Sequence, residues 1–307
     1  MLQQTQVATV VPYFERFLSR FPTLGDLAAA TLPEVLAQWS GLGYYTRARN
    51  LHRAAQVLAR SGFPRTAQGL RELPGFGPYT AAAVASIAFS DPVPLVDGNV
   101  ARVLARLRAI AGPPGAPGRE RRLWDEAGVL LDRESPGTFN EAMMELGALV
   151  CTPSDPRCGA CPFTRTCLAR QRDLVASIPA PKVRPRRGHL ALACAVVLRE
   201  GAILLARRQE RGLFGGLWEL PTARTKKGLS AARALARLGL EPIDRRAFAT
   251  VRRTLTHRDL SLQLLRCSPP RQALPGYLEQ RLVPRAEIPS LGVASAMAAA
   301  LERCAEG

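Results

Sequence analysis

Four cysteines fall within one short stretch, Cys151, Cys158, Cys161 and Cys167, spaced C-x6-C-x2-C-x5-C, while Cys194, Cys267 and Cys304 are scattered. Thiols gathered this closely need a cause, and ligation of one metal centre is the natural one. Four thiolates suit a 4Fe–4S cluster. Zinc sites usually show two close ligand pairs, and only Cys158 and Cys161 form such a pair here. Spacing alone favours iron–sulfur and leaves zinc and disulfides open. The opening residues Met1-Leu2-Gln3-Gln4-Thr5 resemble neither a signal nor a transit peptide, so clustered thiols predict a reducing cytoplasm.

The length of 307 residues predicts about two domains. No run of about 18 apolar residues is present, so no membrane span or membrane partner is expected. The net charge of +17 points to a polyanionic partner such as nucleic acid, with mere solubilising charge as the plain alternative. Residues 190–307 alone carry 19 basic and 10 acidic side chains. Of the 42 basic residues only Lys182, Lys226 and Lys227 are lysines, so residues 1–181 offer no side-chain amine.

The first 170 residues read as helices. Thr31-Leu32-Pro33-Glu34 is a capping-box start. Ala48, Leu51, Ala55 and Leu58 recur at helical spacing, with Arg47, Arg49, Arg53 and Arg60 between them. Leu73-Pro74-Gly75-Phe76-Gly77-Pro78 interrupts two helices, the second running from Tyr79 to about Phe89; its two glycines permit a tight turn and close approach to a ligand. A helix follows Asp97-Gly98-Asn99, where Asp97 could be an ordinary N-cap. Another runs from Phe139 to Leu149. Residues 173–188 hold three prolines and read as a linker. Strands are predicted at 190–198, 202–206 and 260–265, with a helix at 231–238.

Taken together, L-P-G-F-G-P-Y-T-A at 73–81, V-D-G-N-V-A-R-V at 96–103, F-N-E-A-M-M-E-L-G-A-L-V-C at 139–151 and the four cysteines resemble the helix-hairpin-helix DNA glycosylases with an iron–sulfur loop. Met1–Val7 and Trp39-Ser40-Gly41-Leu42-Gly43-Tyr44-Tyr45 narrow the resemblance to the adenine DNA glycosylase family. It implies an all-α helix-hairpin-helix glycosylase domain with a 4Fe–4S loop at residues 1–172, a linker at 173–188, and an α+β Nudix-like mispair-recognition domain at 189–307. The implied partner is double-stranded DNA carrying adenine opposite 8-oxoguanine or guanine, bound by a monomer.

Carried over by position, Asp97 would stabilise the cationic sugar as adenine leaves, Asn99 would orient that carboxylate, and Tyr79 would stand at the active site. Bifunctional relatives have a lysine at the position of Tyr79, so a monofunctional enzyme is expected. Leu2, Gln3, Gln4 and Thr5 match the segment that wedges into the duplex, Tyr44 the aromatic beside the oxidised guanine, and Glu141 a residue near the flipped adenine. Gly75 and Gly77 would meet the DNA backbone. The resemblance assigns Cys151, Cys158, Cys161 and Cys167 to the 4Fe–4S cluster, with Arg157 and Arg165 facing DNA.

Leu213-Phe214-Gly215-Gly216-Leu217-Trp218-Glu219-Leu220-Pro221 carries the Nudix likeness, but residues 222–240 contain no acid to hold Mg²⁺, so binding without hydrolysis is expected. The family's Phe-Ser-His sensor is Leu255-Thr256-His257 here; Thr256 and His257 would read 8-oxoguanine. The family also has a general-acid glutamate two residues before the position of Met1, and this sequence begins at Met1. The resemblance therefore implies a longer natural chain or, for the 307 residues alone, slow adenine release. A lesion-recognising DNA-binding protein without turnover is the alternative.

Overall fold

The computed structural model describes residues 1–3, 5–181, 187–226 and 228–304. Gln4, expected in the wedging segment, and residues 182–186 of the expected linker lie outside them. The chain forms two compact units, one from Met1–Arg60 with Pro185–Gly307 and one from Ser61–Arg184.

Helices α1 (Val7–Arg20), α2 (Leu24–Ala29), α3 (Leu32–Gln38) and α4 (Thr46–Ser61) open the chain. Two are started by side chains. Thr23 with Asp26, and Thr31 with Glu34, form capping boxes that satisfy the first N–H groups of α2 and α3. On α4 the inward face carries Ala48, Ala55 and Leu58 as the spacing predicts, but Leu51 is exposed. His52 is buried beside it, its Nε2 2.9 Å from the Ala30 carbonyl. That partner is what lets an imidazole replace an aliphatic residue on the inner face.

The Ser61–Arg184 unit contains α5 (Ala67–Arg71), α6 (Pro78–Phe89), α7 (Gly98–Leu107), α8 (Pro117–Leu130), α9 (Pro136–Glu145) and α10 (Leu168–Gln171). Past Glu145, α9 widens into a π-turn, Leu146–Val150, that ends at Cys151. Leu95, Val100, Leu104, Ile110, Leu123 and Met143 make the core. Helices α6 and α9 touch closely, since a Cβ on Gly137 would lie 2.8 Å from the Ser86 carbonyl oxygen. Buried Asn140 ties them further, donating to Ser86 Oγ at 2.9 Å and to the Val93 carbonyl at 3.0 Å. The stretch read as a linker begins inside this core. Ile178 is buried, Leu174 and Val175 pack beside it, and the Ile178 carbonyl accepts from Arg106 Nε at 2.8 Å.

In the other unit β1 (Gly188–Val196), β2 (Leu198–Arg199), β3 (Ala202–Arg208), β4 (Trp218–Glu219) and β5 (Thr222–Arg224) precede α11 (Ala231–Arg237); then come β6 (Ala249–Thr254), β7 (Arg258–Arg266), β8 (Tyr277–Pro284) and α12 (Ser295–Arg303). One sheet runs β5-β1-β7-β6, with β1 and β7 parallel and Leu192 beside Leu262. In the other, β3 pairs with β2, β4 and β8. Each sheet shares its buried face with the opening helices: Phe17, Leu36 and Trp39 belong to one cluster with Leu192, Leu205, Leu217 and Met297. A Cβ on Gly292 would sit 3.1 Å from the Leu36 backbone, and Ser40 Oγ donates to the Val293 carbonyl at 2.8 Å.

Because Leu36 is fully buried at this junction, Leu36→Ala is expected to cost about 2–5 kcal/mol in urea unfolding. Amides of α3 and of β1 should lose hydrogen-exchange protection together, as parts of one cooperative unit.

Candidate active site

Gly75 and Ser90 bracket α6 in the left-handed region, with φ of 84° and 56°. Gly77 behaves differently from the expected tight turn. It is the N-cap of α6 at φ −73°, open to any residue, and a Cβ there would meet nothing within 4 Å. One glycine, Gly75, therefore makes the turn, while Gly77 starts α6 with no side chain of its own over that helix end. Tyr79 follows on the first turn, half-buried, its OH 3.7 Å from Met144 Sδ on α9. Burial, then the Asp97 carboxylate, raises the Tyr79 phenol above its usual range.

Asp97 is both a helix cap and a fixed carboxylate. Its Oδ1 accepts from the Val100 N–H at 2.7 Å, and its Oδ2 accepts from Asn99 Nδ2 at 3.3 Å. Arg102 Nη2 donates to Asn99 Oδ1 at 2.9 Å, which leaves the Asn99 amide nitrogen turned to Asp97. The same guanidinium donates to the carbonyls of Gly147 at 2.7 Å and Cys151 at 2.8 Å. Gly147 has no room for a side chain, since a Cβ would lie 2.7 Å from Asn99 Cβ. Glu141 is exposed on α9, one turn before Met144 and so on the side of that helix that Tyr79 meets.

One turn beyond Arg102, buried Arg106 donates to the carbonyls of Thr152 and Pro153 at 2.7 and 2.9 Å, with Nη1 3.4 Å from Cys151 Sγ. Cys151, Cys158, Cys161 and Cys167 line one pocket that opens to solvent, walled by Val103, Leu107 and Phe163. All four thiols are free and half-buried. Burial raises the Cys161 thiol, and the other three cysteines raise it further, which marks them as neighbours. Among the described residues no three His, Cys, Asp or Glu side chains converge tightly enough to hold a metal ion. The donor set nevertheless fits an anionic thiolate centre. Four thiols surround one apolar pocket, two guanidiniums, Arg106 and Arg170, line it, and no carboxylate does. Arg157 and Arg165 are exposed on this loop, Arg157 donating to the Leu149 carbonyl at 2.5 Å.

The remaining expected residues belong to the other unit. Leu2 and Gln3 are exposed, and Thr5 Oγ1 accepts from Arg47 Nη2 at 3.1 Å. Tyr44 is exposed at φ 49°, a left-handed conformation that is strained for a tyrosine. Its hydroxyl lies 3.0 Å from Thr256 Oγ1, so the structure brings Tyr44 and Thr256 together. Thr256 and His257 are exposed in the turn between β6 and β7, and Leu255 packs against the core beneath.

Two family models match: residues 1–127 as a helix-hairpin-helix superfamily base excision DNA repair protein, and residues 193–303 as a NUDIX domain. Adenine DNA glycosylases of Rattus norvegicus and Homo sapiens are 43% and 42% identical over 72% of this chain. The chain belongs to the adenine DNA glycosylase family. It spans about half the length of these relatives, 52% and 50%. A solved thermostable thymine-DNA glycosylase is 26% identical, with a TM-score of 0.48 over 56% of this chain and 80% of that one. The two family models and the elements described above make the fold a helical glycosylase part followed by a Nudix-like part with mixed sheets.

Within this glycosylase family member, three arginines escaped the sequence: Arg47, Arg102 and Arg106. Arg106 alone left a trace, because its neighbours Ala105 and Leu107 are both apolar and both buried. The environment of Tyr79 is directly testable. Its ultraviolet titration midpoint, isolated by difference against Tyr79→Phe, should lie above the ordinary value near 10 and fall toward it in Asp97→Asn. The sign follows: the neutral phenol is the form the fold prefers, so its contribution to stability is complete below pH 10. It is lost as pH rises through the folded-state value.

Proposed function

We propose that this chain is a monofunctional adenine DNA glycosylase, hydrolysing the N-glycosidic bond of adenine opposite 8-oxoguanine or guanine in base excision repair. The observation that carries this is the Asp97 carboxylate, immobilised through both oxygens by Val100 and Asn99 beside the Tyr79 phenol. As adenine leaves, the sugar gains positive charge, and a carboxylate already held in place stabilises it without reorganising. The protonated Tyr79 hydroxyl can donate a hydrogen bond in the same site. Residues 1–181 hold no lysine, so none of their side chains offers an amine to form a Schiff base with the sugar, and the expected product is an intact abasic strand.

The base must leave the stack, at a cost of a few kcal/mol. Exposed Leu2 with Thr5 fills the gap, Tyr44 and Thr256 face the oxidised guanine with His257 on the adjoining backbone, and Glu141 faces the extruded adenine. Gly77, with no side chain over the start of α6, lets a phosphate approach that helix end. The Nudix-like part binds without hydrolysing, because its helix α11 and the flanking residues lack acids and Glu219 is engaged by Arg208, Thr222 and Tyr277. Cys151, Cys158, Cys161 and Cys167 hold a 4Fe–4S cluster, which orders Arg157 and Arg165 against DNA. The protein acts as a monomer on duplex DNA in the cytoplasm, at the nucleoid.

A duplex with adenine opposite 8-oxoguanine tests this. Adenine release without strand breakage before alkali is expected. Asp97→Asn should slow release by about 10²–10⁴ while leaving duplex binding within about threefold. Borohydride trapping of a lysine adduct would refute the monofunctional assignment, and binding with no release would favour a lesion-recognising protein instead. The purified chain should carry about four iron and four acid-labile sulfide, lost together in Cys161→Ala.

A further inference from the structure

Among the described residues, 1–3 and 5 lie outside any helix or strand, yet two carbonyls there are tied down. Arg47, on the first turn of α4, donates from Nη1 to the carbonyl of Met1 at 2.7 Å and to that of Gln3, and from Nη2 to Thr5 Oγ1. Those two carbonyls flank Leu2, whose side chain is 59% exposed. A guanidinium that holds both neighbours of an exposed leucine fixes the direction in which that leucine projects. The same group lies over the Tyr44 ring at 5.1 Å and the Trp39 ring at 5.6 Å. Trp39 is a rigid platform, buried and donating from its indole N–H to the Gly43 carbonyl at 3.0 Å. Tyr44 in turn reaches Thr256 Oγ1.

We infer that Arg47 is a positioning residue that sets Leu2, Tyr44 and the Thr256 turn in one arrangement, and thereby sets how sharply the protein separates the mispair from normal DNA. The inference rests on the assignment of those residues to the duplex-facing surface made above. Its physical basis is the fork of guanidinium donors. Planar, separated N–H groups can serve two carbonyls and a hydroxyl while the face stacks on aromatic rings; a lysine ammonium is a point donor and can do neither as well. Without the fork, the opening segment would have to be ordered on binding, at an entropic cost.

The test uses this chain and a duplex whose adenine, opposite 8-oxoguanine, is made uncleavable by a 2′-fluoro sugar, against the same duplex with an adenine–thymine pair. Arg47→Lys should weaken mispair binding by about tenfold and change matched-duplex binding by less than about threefold. Hydrogen exchange at the Gln3 and Thr5 amides of the free protein should speed up at the same time. Thr5→Val, which keeps the side-chain shape and removes one acceptor, should give a smaller loss in the same direction. Wild-type discrimination in Arg47→Lys, or unchanged exchange at Gln3 and Thr5, would overturn the inference. A wild-type protein that does not prefer the mispair would instead bring down the functional assignment, and it would do so before any variant is compared.

Discussion

Arg106 is the buried cation around which the Ser61–Arg184 unit closes. Only 3% exposed, it sits between two buried apolar neighbours on α7, where an uncompensated charge would cost several kcal/mol. It is solvated by carbonyl groups, those of Thr152, Pro153 and Ile178, and it accepts the Cys167 thiol on its own carbonyl at 3.4 Å. The carbonyls come from segments that have no helical or strand partner at those positions, so the guanidinium satisfies them and they satisfy it. One turn earlier Arg102 does the same for Gly147, Cys151 and Asn99. A single ten-residue helix therefore carries the capping carboxylate at its start and the cations that hold the cysteine loop along one side. Any shift of that loop is felt at Asn99 through one side chain.

The other unit solves a related problem with an ion pair. Glu219 is 2% exposed and lies 2.7 Å from Arg208 Nε, with Thr222 and Tyr277 hydroxyls on its other oxygen. Burial works against charge on Arg208, but the Glu219 carboxylate outweighs it and keeps the guanidinium above its usual range. Burial, and then Glu219, push the Tyr277 phenol upward, so it stays a donor. The carboxylate that follows the Gly-Gly-Leu-Trp run is thus spent internally, fixing β3, β4 and β8 to one another. The exposed chemistry of this unit lies at the turn ends, where Tyr44 and Thr256 meet.

Local chemistry was readable in the sequence where it is decided within a few residues. The capping box of α3, the breaks around Leu73–Pro78 and the start of α7 all follow from side chains and the backbone groups next to them. Asp97 shows why two expectations for one residue need not compete, since capping Val100 uses one oxygen and leaves the other to Asn99. What the sequence hid is tertiary. Ser40 and Val293 are 253 positions apart, and nothing local joins the opening helices to the strands. In a chain whose basic residues are nearly all arginine, Arg47 and Arg102 look like members of a solvated helix face. Only the carbonyls they reach distinguish them. Ile178 was concealed by the prolines around it, which speak for a linker while one aliphatic side chain reaches the core.

The arginine excess then acquires a chemical meaning beyond net charge. Arg47, Arg102, Arg106 and Arg208 each bridge groups from separate segments, which is work for a planar fork of donors. A guanidinium stays protonated at any physiological pH and is not a nucleophile, whereas a lysine pushed into the same partly buried setting would have its pKa lowered and its amine activated. In the unit that holds Asp97, a lysine at the place of Arg102 would stand one hydrogen bond from Asn99 and two from the carboxylate. Such an amine would be a candidate to capture the sugar that Asp97 is proposed to stabilise. Building the polar supports of this site from arginine lets cations surround the reaction without entering it. Water is then the nucleophile left to the proposed reaction, and the proposal of hydrolysis without strand cleavage rests on the material of the scaffold as much as on the identity of Tyr79.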